Sequence, residues 1–323
     1  MHRTFAFFAA IVLTTISVTT AGFASGPERL QFSLEPSRSV DRLQLSLRHG
    51  SNGRNSNWSS TTAVSELRGL DVARLRSGGT APLTFVLVRE AGRFDCSGHG
   101  GQSSARGECR FTADPGFADY LVRRGIARPN RDQAYALAMS GVGRAHVEAL
   151  AANRYPLPTV NQLVAMGIHG ATPRFIQDLA ATGYRLQSAK DLVAFRIHGV
   201  DADYIRSVTA AAPQLGRLTA GDLVAFRIHR VSPNLVRTYA RLGRGRLDRK
   251  DVVAMAIHGV TPEFIEELSR LGYRDVAAGD LVQMRIFGVT PQYIRSLQRD
   301  GAGRIPVAEL VQMRIMGNRR RTR

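Results

Sequence analysis

The chain has 323 residues, of which 44% are hydrophobic and 22% are charged, and its formal net charge is +18. This charge attracts polyanions such as nucleic acid, anionic lipid or cell-envelope phosphate, but it says nothing about the fold. The two cysteines are too few for a metal knuckle built from paired cysteines, and no stretch after the N-terminal segment is apolar enough to cross a bilayer.

The N-terminal segment has the features of a secretory signal peptide. His2 and Arg3 precede an uncharged run from Phe5 to Phe23, and Gly22-Phe23-Ala24 is a small-x-small cleavage pattern. The run is also long enough for an uncleaved membrane anchor, although four threonines and a serine dilute its hydrophobicity. We therefore predict a signal peptide over residues 1–24 and a periplasmic or secreted protein.

Residues 25–114 predict a small antiparallel β domain. Apolar and polar residues alternate with the period of strands at Leu30, Phe32 and Leu34, at Leu43, Leu45 and Leu47, at Leu83, Phe85 and Leu87, at Phe94 and Cys96, and at Cys109 and Phe111. Turn-rich stretches at 50–60 and 97–107 separate some of these runs. The pattern predicts a sheet or sandwich of about five strands, with a short helix or irregular strand within 62–75.

The two cysteines predict a disulfide between facing strands of a hairpin. Cys96 and Cys109 each lie two residues from a phenylalanine, and an even cysteine count in an exported chain favours pairing. A disulfide closing a loop of this size contributes on the order of 3 kcal/mol. Two buried thiols are the alternative.

From residue 115 onward the chain repeats one phrase with a helical period. The repeated apolar pairs are Leu163-Val164, Leu192-Val193, Leu223-Val224, Val252-Val253, Leu281-Val282 and Leu310-Val311, spaced by 29 residues with one step of 31. Helix start signals recur in the same phase, with Ser, Thr or Asp as caps and Pro at the first helical position of most second helices. We predict an α-solenoid of helix hairpins over 115–317, followed by a disordered arginine-rich tail over 318–323. The fold class is therefore α+β.

Four histidines occupy the same position in successive repeats: His169, His198, His229 and His258. Such a ladder could ligate a transition metal or change its charge near pH 6.5. Stacked helices lie about 10 Å apart, which is too far for two imidazoles from neighbouring repeats to share one metal. Because Phe287 and Met316 replace histidine in later repeats, a structural role in packing or capping the helix end is favoured.

Four arginines also share one position in the repeat: Arg196, Arg227, Arg285 and Arg314. Gly167 and Ala256 hold this position elsewhere. Two interpretations remain open. The aliphatic part of each arginine packs while its guanidinium pairs with a neighbouring carboxylate, or the arginines line a groove and bind an anionic partner.

No catalytic motif is recognisable, since the chain contains no His-Glu-x-x-His, no Gly-x-Ser-x-Gly and no phosphate-binding loop. We predict no enzymatic activity, no cofactor and no metal. The expected function is binding of an unknown protein partner in the cell envelope. Electrostatic binding of a polyanion is the first alternative, and a hydrolase with an unrecognised site is the second.

The repeat "VAMAIHGVTPEFI" at Val253–Ile265 resembles helical repeats of about 29 residues in exported bacterial proteins. Similar repeats lie C-terminal to antirepressor metallopeptidases of the beta-lactam-sensor type. The segments Arg89–Phe94 and Phe111–Pro115 resemble the region that precedes those repeats. The metallopeptidase motif is absent here, so the resemblance implies a ligand-sensing or docking module without protease activity.

Overall fold

The computed structural model describes residues 29–51, 54–184, 186–242, 247–299 and 303–321. The predicted signal peptide lies outside the described residues. The chain is α+β, with an antiparallel sheet followed by a long series of helices. Contacts divide it into two compact units. The first comprises the sheet, the chain to Tyr120 and the segment Arg128–Met139, and the second comprises Leu121–Ala127 together with residues from Ser140 onward.

The first unit is built on one seven-stranded antiparallel sheet with strand order β3-β2-β1-β7-β6-β5-β4. Its strands are β1 (Leu30–Pro36), β2 (Arg42–Ser51), β3 (Arg54–Ala63), β4 (Leu67–Arg68), β5 (Ala81–Arg89), β6 (Gly92–Gly101) and β7 (Ser104–Ala113). The apolar residues of the alternating pattern are buried on one face. The rings of Phe32 on β1 and Phe85 on β5 lie 5.0 Å apart although two strands separate β1 from β5. Because neighbouring strands are about 4.8 Å apart, this contact requires the sheet to curl around its core.

The predicted disulfide is confirmed. Cys96 on β6 and Cys109 on β7 are directly opposite each other in the register, and their sulfur atoms are 1.99 Å apart. Both half-cystines are buried in the concave face of the sheet. A disulfide at this place fits folding in an oxidising compartment.

Three expectations for the sheet are corrected, and the first is the number of strands, which is seven rather than about five. The turn-rich stretch at 50–60 is largely strand, because β3 extends from Arg54 to Ala63 and pairs along its full length with β2. The predicted loop at 97–107 is also strand on both sides, and the connection is reduced to Gln102 and Ser103, whose φ values are 52° and 66°. The segment 62–75 agrees with its prediction of a short helix or irregular strand, since it contains a short 3-10 helix, the two-residue β4 and α1 (Val72–Arg76).

The helices after the sheet alternate in the order that the repeats predict. They are α2 (Pro115–Arg123), α3 (Arg131–Met139), α4 (Arg144–Ala152), α5 (Val160–Ile168), α6 (Pro173–Ala180), α7 (Ala189–His198), α8 (Ala202–Ala211), α9 (Ala220–Ile228), α10 (Pro233–Leu242), α11 (Arg249–Ile257), α12 (Pro262–Arg270), α13 (Ala278–Ile286), α14 (Pro291–Arg299) and α15 (Val307–Arg321). Helix α15 extends into the segment 318–323, for which the sequence predicted a disordered tail. Helix α3 belongs to the first unit, where Tyr135 packs edge-on against Phe94 and Phe111.

Side-chain caps begin nine helices of the second unit, whereas Gly143 before α4 and Ala277 before α13 form no such hydrogen bond. The nine predicted caps each accept a hydrogen bond from the backbone amide three residues on, and they are Thr159, Thr172, Ser188, Asp201, Thr219, Ser232, Asp248, Thr261 and Thr290. Each such cap contributes about 1 kcal/mol to helix stability.

In the second unit, equivalent helices lie beside each other. The first helices of successive repeats are in contact in the order α5, α7, α9, α11, α13 and α15. Second helices form similar contacts, α4 with α6, α8 with α10, α10 with α12 and α12 with α14. Each helix therefore buries its apolar face against copies of itself, which is a repeat-like arrangement. Within the described part of the chain, no helix is long and apolar enough to cross a membrane.

Candidate interaction surface

The four repeat-position arginines lie over aromatic rings of the preceding repeat. Arg196 covers Phe175 at 5.0 Å from guanidinium carbon to ring centroid, and Arg227 covers Tyr204 at 3.8 Å. The remaining pairs are Arg285 with Phe264 at 5.1 Å and Arg314 with Tyr293 at 4.5 Å. We call these four residues the seam arginines, because each bridges two consecutive repeats. Their ring contacts are cation–π interactions.

The guanidinium groups also reach the end of the preceding first helix. Arg285 Nε donates to His258 O at 3.3 Å, and Arg314 donates to Gly288 O through Nε at 2.8 Å and Nη2 at 2.6 Å. These carbonyls are at a helix C-terminus, where cations are favoured. Arg227 lies in the lengthened repeat, and its buried Nε has no hydrogen-bond partner among the described residues.

Glycine makes room for these guanidinium groups. Gly259 and Gly288 end their helices with φ values of 65° and 69°. A Cβ at these positions would lie 3.2 Å from Arg285 Nη2 and 3.3 Å from Arg314 Nη2. Gly170 has the same relation to Arg196. A left-handed conformation and close approach of the arginine both favour glycine here.

The arginine and the ring occur together along the chain. The position 21 residues before Arg196, Arg285 and Arg314, and 23 residues before Arg227 across the two-residue insertion, is aromatic in each case. Where this position is His146 or Leu235, the arginine position is Gly167 or Ala256. Phe117, which stacks on Tyr120, is followed at the same spacing by Ala138. From His146 onward, ring and arginine are therefore gained and lost as a pair, as expected for side chains that stabilise each other.

This arrangement differs from the first interpretation that the sequence left open, in which each guanidinium pairs with a neighbouring carboxylate, whereas the second interpretation, binding of an anionic partner, stays a prediction. The structure records no ion pair between a seam arginine and a carboxylate among the described residues, and the guanidinium groups contact rings and carbonyls instead. Arg196 and Arg285 are nevertheless exposed, and Arg227 and Arg314 are half-buried. They are thus held in fixed positions while part of their charge faces solvent.

The four histidines lie at the C-terminal ends of the first helices. His169, His229 and His258 are C-cap residues, and His198 is the last residue of α7. His169 and His258 are exposed, and the other two are half-buried. In the described part of the chain, no group of three or more His, Cys, Asp or Glu side chains could hold a metal ion.

An exposed isoleucine precedes each of these C-terminal positions, and sequence reasoning did not single it out. The isoleucine stripe comprises Ile168, Ile197, Ile228, Ile257 and Ile286, with exposed fractions between 47% and 59%. In the last two repeats, the histidine position that follows the isoleucine holds an exposed apolar residue, Phe287 or Met316. Because the first helices contact each other in order, these side chains form one row along the second unit.

The isoleucine is retained although its position is open to water. An exposed position on the second helices differs in every repeat and is occupied by Arg174, Asp203, Asn234, Glu263 and Gln292. This exposed position therefore varies among polar residues from repeat to repeat. The recurrence of the isoleucine together with its exposure in the fold identifies the stripe. The apolar pattern of the sequence alone would place the isoleucine in the core.

Tyrosine hydroxyls connect neighbouring repeats as well. Tyr204 donates to Val231 O at 2.7 Å, and Tyr239 donates at 2.5 Å to Val260 O, the equivalent carbonyl one repeat later. Burial raises the pKa of Tyr204 to about 12, although the charge of Arg227 lowers it in part. These hydroxyls are therefore protonated hydrogen-bond donors at neutral pH, and they fix the spacing between repeats.

The first unit offers an open depression of about 510 Å³ on the polar outer face of its sheet. Glu35, Arg48, Arg106 and Glu108 line it, so its charges alternate in sign. His99, the histidine of the glycine-rich segment, lies on β6 opposite Arg106. These groups are on the surface of regular strands and do not converge on a common point.

The chain was compared with protein families, curated proteins and solved structures. No family model matches the chain, and no curated protein or solved structure matches it.

Proposed function

We propose that the second unit is an α-solenoid and that it serves as a non-enzymatic binding module for a protein partner in the cell envelope. The partner docks on the isoleucine stripe. The observation that carries this proposal is the retention of a half-exposed isoleucine in five successive repeats, whereas an exposed position on the second helices differs in every repeat. Repeat arrays generally bind their partners through such extended surfaces.

The size of the stripe suits a protein interface. Packed helices lie about 8–10 Å apart, so five isoleucines in a row extend over roughly 40 Å. Burying the exposed half of each side chain contributes about 1 kcal/mol. Five side chains together supply enough apolar surface for a specific complex, provided that the partner carries a matching apolar row.

The disulfide and the resemblance of the repeats to those of exported bacterial proteins support an extracytoplasmic site of action. An oxidising compartment such as the periplasm maintains the Cys96–Cys109 bond. In this compartment the module would recruit or sense an envelope protein, without chemistry of its own.

The proposal is tested by affinity capture from envelope extract with three forms of the purified protein. These are the parent, the triple variant Ile197→Gln, Ile228→Gln, Ile257→Gln, and the control Val122→Gln. Val122 is 45% exposed on α2 and lies outside the stripe. Loss of three half-buried contacts should weaken binding by about 3 kcal/mol, or roughly a hundredfold.

The expected result is a partner that the parent and the Val122 variant retain and the triple variant loses, while all three keep the same helical circular dichroism. A polyanion would bind the triple variant as well as the parent, and rising salt would release it in a steep log-linear manner. That result would reject the protein-docking proposal.

A further inference from the structure

The inference concerns the charge beside the stripe, and it rests on the proposed function. Five seams join the consecutive first helices from α5 to α15. Four of them carry a seam arginine. We call the contact between a seam arginine and the ring of the preceding repeat the clamp. At the remaining seam, between α9 and α11, the clamp cannot form because Leu235 and Ala256 replace the ring and the arginine.

An arginine is nevertheless present at this seam, and it belongs to the earlier of the two repeats rather than to the later one. Arg230 occupies the helix-ending position that is Gly170, Gly199, Gly259 and Gly288 in the other repeats. It adopts a φ of 56°, a left-handed conformation that is unfavourable for a residue with a Cβ. At Gly170, Gly259 and Gly288, a guanidinium from the following repeat lies close to this same position.

The Arg230 side chain lies outside the packing of the repeats. Its side chain is exposed, and it has no ion pair, hydrogen bond or ring contact among the described residues. Glycine would relieve the backbone strain and is the residue of the neighbouring repeats. One arginine is thus present at every seam, although at this seam its side chain forms no contact of these kinds and its backbone is left-handed.

We infer that the partner is an acidic protein segment that places apolar side chains on the isoleucine stripe and carboxylates against the arginines at the seams. Charge complementarity selects this occupant. A second copy of the chain would bring another +18 of net charge and be repelled. Nucleic acid would use the arginines and leave the isoleucines exposed, whereas a protein segment with both acidic and apolar side chains would contact the arginines and cover the isoleucines.

The test is selection from a displayed library of random 16-residue peptides with equal frequencies of acidic and basic residues. An extended peptide of this length covers about 50 Å, which exceeds the length of the stripe. The disulfide-bonded protein is the target, and the triple isoleucine variant serves for counter-selection. The expected result is enrichment of Asp and Glu together with Leu, Ile, Val or Phe. Enrichment of basic residues, or no charge preference, would overturn the inference.

The selected peptide is then titrated by fluorescence anisotropy against variants at low and high salt. Arg230→Gly should weaken binding about three- to tenfold at low salt and reduce the salt dependence, because one desolvated charge contact is lost. Arg230→Lys should retain most of the affinity. Arg237→Gln removes an equally exposed arginine from the outer face of α10 and should change the affinity less than twofold.

The outcomes separate the two proposals. If Ile257→Gln weakens binding and Arg230→Gly does not, the acidic-partner inference fails and the proposed function stands. If neither variant changes binding, both fail. Vesicles of phosphatidylglycerol and duplex DNA serve as further probes. Stripe-dependent binding to vesicles without any selected peptide would overturn the inference in favour of a membrane surface.

Discussion

Replacing Arg285 with alanine should lower the stability of the second unit by about 1–2 kcal/mol. The guanidinium lies 5.1 Å from the centroid of the Phe264 ring, and an exposed cation–π contact of this kind contributes about 0.5–1 kcal/mol. The 3.3 Å hydrogen bond to His258 O adds about 0.5–1 kcal/mol, because its donor remains partly hydrated. The sum corresponds to a fall in Tm of roughly 3–8 °C for a unit of this size.

A double-mutant cycle isolates the ring contact. Phe264→Leu copies the natural residue at Leu235, and the cycle with Arg285→Ala should give a coupling energy of about 0.5–1 kcal/mol. Stability is measured by urea unfolding, followed by circular dichroism at 222 nm. The single tryptophan, Trp58, lies on β3 in the first unit, so its fluorescence reports whether that unit is unaffected.

The converse experiment builds a clamp where the chain lacks one. Ala256→Arg beside Leu235 should give no stabilisation. Ala256→Arg combined with Leu235→Phe and Arg230→Gly should be more stable than the sum of the single effects by about 0.5–1 kcal/mol. Strict additivity in both cycles would refute the conclusion that ring and arginine stabilise each other across the seam.

Three further predictions concern the backbone, the disulfide and pH. Arg230→Gly should raise stability by about 0.5–1 kcal/mol by relieving a left-handed φ, and a lower Tm would contradict this. Cys96→Ala with Cys109→Ala should destabilise the first unit by about 2–3 kcal/mol in Trp58 fluorescence, and an unchanged midpoint would contradict it. Burial raises the pKa of Tyr204 to about 12, so its contribution is complete below pH 10 and is lost as the pH rises from 10 to 12, where the unfolded tyrosine ionises first. Helical circular dichroism should show this alkaline loss of stability, with a shallower slope in Tyr204→Phe; a flat profile to pH 12 would contradict it.

The local features of the fold were predictable from sequence, and long-range ones were not. Every predicted cap accepts its hydrogen bond because a cap involves residues only three apart. Strand β3 was missed because Asn55, Ser56, Asn57, Ser59 and Ser60 give it no apolar face, and it lies at an edge of the sheet. The hairpin at Gln102 and Ser103 was predicted as a long loop because its positive φ values occur without glycine at those positions.

The candidate surface was only half predictable. The positions of the seam arginines in the repeat were recognised, but their partners were sought among carboxylates and ligands. The actual partner is a ring in the preceding repeat, and its signal is the paired change of two positions along the chain. Ile257 and its equivalents carry no such local signal, because an isoleucine in a helix is ordinarily a core residue. Only the fold shows that these side chains face water.

The most direct test of the proposed docking surface is site-specific photo-crosslinking in cells that produce the protein. A benzophenone side chain is introduced at Ile228, at Ile257 or, as a control, at Val122. The docking proposal predicts the same covalent protein adduct from Ile228 and Ile257 and no adduct from Val122. Adducts of equal yield from all three positions, or none from the stripe, would contradict the conclusion that this surface binds a partner.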